Sequence, residues 1–234
     1  MNARTHRRAA LGAAVMALLV TIVAVNTDLD IRLSDAVYGV AGAWPATHRP
    51  GPARLAFYDA PVSLLGLFAS YLAAGLVWPR LRQAIRLSRR ESVFVLVCLA
   101  CTPVVIGTLK QLSGVACAYD LVRYGGALAD SLGRYPFSGA GAGQCWPAAH
   151  PSGAFALLCL GSLPRSRSAR TGLWLLALGF GSVLGIYQVA RGAHFASHVI
   201  VTALIAQSIA SIAAYALLAP RSDRYDVQAV HIRS

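Results

Sequence analysis

The sequence predicts an all-α membrane protein, a polytopic bundle of six transmembrane helices with both termini in the cytoplasm. Three observations predict it. The chain of 234 residues is 56% hydrophobic and only 13% charged, with a mean hydropathy of +0.57, whereas a soluble domain carries about 25% charged residues. Its apolar residues gather into separate long runs. Its basic residues fall mainly in alternate gaps between those runs. At roughly 20 residues per span, the length suits one domain of about five to seven spans.

Six runs can be drawn, at 9–25, 61–78, 92–109, 153–163, 172–189 and 195–218. The fourth is short, and is expected to extend back into the segment around His150. The first begins among arginines, as a signal peptide does. Its length, and the lack of a small-residue cleavage pattern in Asn26-Thr27-Asp28, favour a retained span.

Charge sets the topology. The N-terminus carries Arg4, Arg7 and Arg8. The second-to-third loop carries Arg80, Arg82, Arg86, Arg89 and Arg90, the fourth-to-fifth loop Arg165, Arg167 and Arg170, and the tail Arg221, Arg224 and Arg233. These are fourteen of the 21 basic residues. The other seven are Arg32, Arg49, Arg54, Lys110, Arg123, Arg134 and Arg191, and six of the nine acids share their side: Asp28, Asp30, Asp35, Asp59, Asp120 and Asp130. The arginine-rich side is expected to be cytoplasmic. A net charge of +12 could suggest a nucleic-acid partner. Short arginine clusters between apolar runs point to membrane topology instead, and no nucleic acid is expected as a partner.

One domain, 1–234, is expected. It comprises a first span plus an interfacial segment (1–60), a bundle (92–218) and a cytoplasmic tail (219–234). Residues 29–44 alternate apolar and polar groups as an interfacial amphipathic helix does. The 111–149 loop is long, with Gly125-Gly126 and the glycines at 139–143 as breakers. Loops of that length are often functional. Cys98, Cys101 and Cys159 fall within the runs and are expected to be buried small apolar groups. Cys117 and Cys145 fall in the outer loop, an oxidising compartment. They are expected to pair, which would pin Lys110 near His150; the alternative is two free thiols.

Polar groups at membrane depth are costly and ask for a reason. Lys110 ends the third run, His150 precedes the fourth, and Arg191, His194 and His198 open the sixth. The topology brings all five to the outer side. Arginine and lysine clamp phosphate. A neutral histidine can attack phosphorus, and a second can protonate the leaving oxygen. Arg191, His194 and His198, at i, i+3 and i+7, are expected on one helix face. His194 and His198 could instead hold a metal, but no carboxylate lies between them. Each polar group taken singly is also compatible with snorkelling or lipid-headgroup anchoring. A transporter fits less well, because these groups cluster at one face rather than along a path through the midplane.

Three blocks carry a family resemblance: Lys110 with Cys117-Ala118; Pro147-Ala148-Ala149-His150-Pro151-Ser152-Gly153; and Arg191-Gly192-Ala193-His194-Phe195-Ala196-Ser197-His198. They resemble the motifs of the type 2 phosphatidic acid phosphatase (PAP2) superfamily, whose membrane members act on lipid phosphates, undecaprenyl pyrophosphate and lipid A. The family pattern is K-x6-R-P, then P-S-G-H, then S-R-x5-H-x3-D. The blocks keep that order over roughly 92–218. Departures fall at Cys117-Ala118, where the pattern has R-P, and at Ala148 and Ala149, where it has serine and glycine. They also fall at Tyr187-Gln188, where it has S-R, and at His198, where it has aspartate. A variant branch with C-P-W, G-H-A-S and R-G-A-H-F-x-S-H-D patterns is also similar, with Val199 at that branch's aspartate.

The resemblance implies an integral membrane phosphatase of the bacterial inner membrane whose site faces the periplasm or exterior. By it, His194 attacks phosphorus and forms a phosphohistidine, and His150 protonates the leaving group. Lys110, Arg123, Arg191 and Ser152 hold the phosphate. His198 replaces the aspartate that orients the nucleophile, and a carboxylate such as Asp59 or Asp120 is expected to take over. No metal, no cofactor and no obligate protein partner is implied, only the bilayer and a membrane lipid phosphate. The alternatives are a catalytically impaired lipid-phosphate-binding protein and a lipid phosphotransferase.

Overall fold

The computed structural model describes residues 2–39, 42–46, 50–134, 136–137 and 143–220. Arg49, Gly139, Gly141 and the tail from 221, with Arg221, Arg224 and Arg233, lie outside the described residues. Among the described residues the only extended pairings are two isolated bridges, Gly114 with Gly143 and Leu121 with Leu128.

The helices are α1 (Ala3–Asn26), the short α2 (Leu29–Tyr38), α3 (Pro52–Val77), the one-turn α4 (Pro79–Ala84), α5 (Arg89–Ser113), α6 (Ser152–Ser162), α7 (Arg167–Ala190) and α8 (Ala196–Leu217). Their ends follow from local sequence. Asn2 caps α1 by accepting from the Thr5 N–H (2.9 Å). Ser88 and Glu91 form a capping box that starts α5. Gly114, at φ 70°, ends α5 in the left-handed conformation that glycine takes most easily. Ser166 caps α7.

Five of these helices are long and apolar enough to cross a bilayer: α1, α3, α5, α7 and α8. The chain is thus a multi-pass membrane protein, but with five such helices among the described residues rather than six. The fourth expected span is α6. Five α-helical and six 3₁₀ residues cover about 20 Å, less than the ~30 Å hydrocarbon core. Its short length is tolerable because it does not face lipid. Ala154, Phe155, Ala156, Leu158 and Cys159 are all buried, and α6 packs against α5, α7 and α8. It also does not extend back to His150 as expected. Pro147 and Pro151 disfavour helix before them, so His150 sits in a turn.

The longest interface pairs α1 with α8. Ala3, Ala10, Ala13 and Ala17 form one buried face of α1, and Ala17 packs with Val201, Leu204 and Ile205 of α8. Small side chains let two backbones approach closely where burial against water gives no drive. Ser208 donates to the Ala10 carbonyl (3.1 Å), while Ala17 packs with Val201, so the two helices run antiparallel. The start of α1 and the end of α8 therefore share one end of the bundle. Arg90 donates to the Ala219 carbonyl there (3.2 Å), and Arg165 bridges Glu91 (2.8 Å) and the Arg86 carbonyl (2.7 Å). Among the described residues, the arginines of the second-to-third and fourth-to-fifth gaps gather at this end.

The opposite end carries α2 and the 114–151 loop. The amphipathic helix is shorter than the expected 29–44, since Gly39 caps it after Tyr38. The described part of the loop contains short 3₁₀ turns at Ala118–Asp120, Val122–Tyr124 and Asp130–Gly133. Cys117 and Cys145 form a disulfide across a sequence separation of 28, with Cα atoms 5.1 Å apart. Cys98 and Cys159 are buried, whereas Cys101 is exposed on the outside of α5, contrary to expectation.

Candidate active site

The loop end of the bundle opens into a cavity of about 890 Å³. Lys110, His150, Ser152, Arg191 and His194 all line it. They come from the last turn of α5, the turn before α6, the start of α6, the end of α7 and the α7–α8 turn. Their convergence depends on how α7 ends. Arg191 caps the helix, and Gly192, at φ 67°, reverses the chain. A Cβ at residue 192 would collide with the Trp44 indole. The Gly192 carbonyl accepts from Tyr119 N–H (2.9 Å) and the Gln188 carbonyl from Ala193 N–H (3.0 Å), fixing the turn. Arg191, His194 and His198 therefore do not share one helix face as expected. Arg191 belongs to α7, His194 to the turn and His198 to α8.

His194 is 5% exposed, and its Nδ1–H donates to the Cys145 carbonyl (2.7 Å). A carbonyl can only accept, so Nε2 is left as the unprotonated nitrogen of the neutral ring. Burial, reinforced by the charges of His198, Lys110 and His150, holds the ring well below its ordinary pKa of 6.5; the bond to Cys145 opposes this. A buried neutral imidazole with a free Nε2 is a competent nucleophile.

His150 is held from α3. Its Nε2 donates to the Phe57 carbonyl (3.2 Å), and its ring stacks on Tyr58 at 3.9 Å between centroids and 7° between planes. Phe57 and Tyr58 lie in a π-helical turn, Leu55–Asp59, a backbone irregularity often found at functional positions. Burial lowers the His150 pKa, the Phe57 carbonyl opposes, Arg191 lowers it further and Asp59 opposes. Arg191 is 6% exposed, and its guanidinium lies over the rings of Tyr58 (5.2 Å) and Tyr187 (5.5 Å).

Two expected residues stand elsewhere. Arg123 is not in the cavity. It forms a two-pronged pair with Asp35 of α2 (2.7 and 2.6 Å) on the exposed side of the loop. This pairing holds the Asp35 carboxyl below its usual range. His198 lies behind His194 against a separate small pocket, and its Nδ1–H donates to the same Cys145 carbonyl (2.9 Å). The hydroxyl of Ser152 is in place but donates to the Ala149 carbonyl (2.6 Å).

The carboxylates also differ from expectation. Asp59 pairs with Arg54 (3.4 Å) and acts on His150, and Asp120 lines the cavity. The acceptor at His194 is instead the Cys145 carbonyl, and the acid whose charge acts on His198 is Asp30 of α2. Asp30 accepts from the Ser197 backbone N–H (3.0 Å) and from its hydroxyl, capping the start of α8 from a distant part of the chain. Sequence reasoning missed Asp30, Tyr58, Gln188 and the Cys145 carbonyl. Only Gln188 carried a signal, as the residue aligned with a motif arginine.

The model of the PAP2 superfamily matches residues 91–221 of the chain. Neither a curated protein nor a solved structure matches it.

Proposed function

The chain belongs to the PAP2 superfamily, in general one of metal-independent phosphatases, and from that premise we propose that it hydrolyses a lipid phosphate or lipid pyrophosphate at the outer face of the bacterial inner membrane. The observation that carries this reading is the shape of the cavity. His194, His150, Lys110 and Arg191 line one part of it, while Val62, Leu65, Gly66 and Ala69 of α3 and Leu99 and Pro103 of α5 line the rest. From Lys110 back to Leu99 the helix descends about 16 Å into the bundle. A water-soluble phosphate ester would use only the polar part. A lipid would use both, with its phosphate at the histidines and its chain between α3 and α5.

In the first step the Nε2 lone pair of His194 forms a bond to phosphorus as the phosphorus–oxygen bond to the leaving group breaks. His150 gives that oxygen its proton. With Nε2 engaged by Phe57, Nδ1 is the nitrogen that serves. Lys110 and Arg191 hold the non-bridging oxygens, whose charge is highest in the transition state. In the second step neutral His150 takes a proton from water as its oxygen attacks phosphorus. The phosphorus–nitrogen bond breaks, releasing inorganic phosphate and neutral His194. The arginine-rich end of the bundle supports a cytoplasmic assignment for both helix termini, and so an outer site.

Phosphate release in detergent from phosphatidic acid, phosphatidylglycerol phosphate, undecaprenyl pyrophosphate and lipid A tests the proposal. Release from at least one, reduced to background by His194→Ala, is expected. Undiminished release by that variant, or lipid binding without turnover by the wild type, would overturn it.

A further inference from the structure

Gln188 sits on the last turn of α7, 2% exposed, on the wall of the same cavity. Its Oε1 accepts from Arg191 (3.4 Å). Its Nε2 has no hydrogen-bond partner among the described residues. A buried amide N–H with no acceptor costs stability in the resting protein. Buried polar groups are rarely left so, and each exception calls for a reason.

The neighbours indicate what the amide lacks. Arg191, Lys110, His150 and His194 surround the same cavity. Lys110 and Arg191 offer only donors and positive charge, and neither the imidazoles nor the Asp120 carboxylate on the same cavity hydrogen-bonds the amide. An anionic ligand with several acceptor oxygens would satisfy it. Arg191 holds the carboxamide by its oxygen and thereby turns the NH₂ away from the guanidinium.

We propose that the Gln188 carboxamide is a phosphate-binding group of this site, its Nε2–H donating to a non-bridging oxygen of the phosphoryl group held by Lys110 and Arg191. This rests on the phosphoryl-transfer reading above and adds to it. A neutral donor stands where the family pattern has an arginine, so the position contributes direction without charge. The two cations supply the attraction, and the amide fixes the rotation of the tetrahedral group against the His194 Nε2.

The proposal makes stability and binding move in opposite directions, which a structural role would not. Leucine and methionine approximate the volume of glutamine and have no donor. In the purified full chain, thermal unfolding without ligand is expected at the wild-type temperature or higher for Gln188→Leu and Gln188→Met. The Kd for inorganic phosphate, read from the ligand-induced shift in unfolding temperature, is expected to rise about 10-fold or more in both. Gln188→Glu, equal in shape but acidic, is expected to lose binding altogether.

Wild-type Kd in either apolar variant would overturn the assignment, as would a lower unfolding temperature in both, which marks a structural role. Failure of the wild type to bind phosphate would overturn the phosphoryl-transfer reading itself and this proposal with it. Wild-type binding with unchanged variants would overturn this proposal alone.

Discussion

Nδ1 of His194 lies 2.7 Å from the carbonyl oxygen of Cys145, and Nδ1 of His198 lies 2.9 Å from the same atom. One backbone carbonyl thus occupies the place that the PAP2 pattern gives to a carboxylate. It can fix the tautomer and aim of His194 through its two lone pairs, but it offers a dipole rather than a full charge. Its position depends on the Cys117–Cys145 bridge and on Cys145 N–H donating to the Val115 carbonyl (2.8 Å).

Reducing that bridge should therefore affect chemistry as well as stability. A loop of this length predicts a loss of about 3.5 kcal/mol. With the orienting carbonyl released, kcat is expected to fall about 10-fold or more, with a smaller change in KM. Turnover and thermal unfolding before and after reduction, and in Cys117→Ala, give the comparison. A reduced protein with full kcat would show that the carbonyl stays in place without the bridge.

Activity and stability should have opposite pH trends. In the proposed mechanism His150 must carry its proton before substrate binds, and burial holds its pKa below the ordinary 6.5. His194 must be neutral, and its pKa lies well below 6.5. The kcat/KM profile is thus expected to peak on the acid side of 6.5 and to fall as pH rises from there. Both groups bind protons less readily folded than unfolded. Their contribution to stability is complete above about pH 6.5 and is lost as pH falls toward the folded values. A kcat/KM profile flat from pH 5.5 to 8 would contradict the assignment of His150 as acid.

The stack of His150 on Tyr58 gives a third test. An aromatic face in contact stabilises an imidazolium and limits ring rotation, and such pairs are worth about 1 kcal/mol. Tyr58→Leu is expected to lower kcat about 3- to 10-fold and to move the alkaline limb of the profile to lower pH. Tyr58→Phe should restore both. A phenylalanine variant as impaired as the leucine variant would assign the role to the hydroxyl instead.

Gly66 gives a test of the proposed lipid path between α3 and α5. It lies on α3 at the cavity wall, and a Cβ built there meets nothing within 4 Å. Gly66→Leu should fold normally and partly fill the space between α3 and α5. KM for a long-chain lipid phosphate is expected to rise about 10-fold, while a short-chain phosphate is hydrolysed as before. Equal effects on both substrates would mean that the chain lies elsewhere.

The helical architecture and the converging polar residues were legible because both rest on composition and local spacing. Apolar runs and arginine clusters give spans and ends. Lys110, His150, Arg191 and His194 each flank the outer end of a run, so the topology alone brings them to one end. The rest depends on tertiary placement. The fourth run reads as a full span because its residues are apolar. They are apolar because α6 is enclosed by other helices, which also permits its short length. Arg123 is a cation in the loop that carries the phosphate motif, yet Asp35, 88 positions away, holds it. Asp30 caps α8 from 167 positions away. The Cys145 carbonyl carries no side-chain signature, so no motif could have revealed it.

The proposed mechanism passes through a covalent phosphoryl group on His194. Brief reaction of the full-length protein with a lipid phosphate radiolabelled in its phosphate, followed by alkaline denaturation, tests it most directly, since a phosphohistidine survives base and is lost in acid. Base-stable, acid-labile label is expected, mapping by mass spectrometry to His194 and accumulating in His150→Ala when the leaving group is good. Label on another residue, or phosphate release with no labelled protein at any time point, would contradict it.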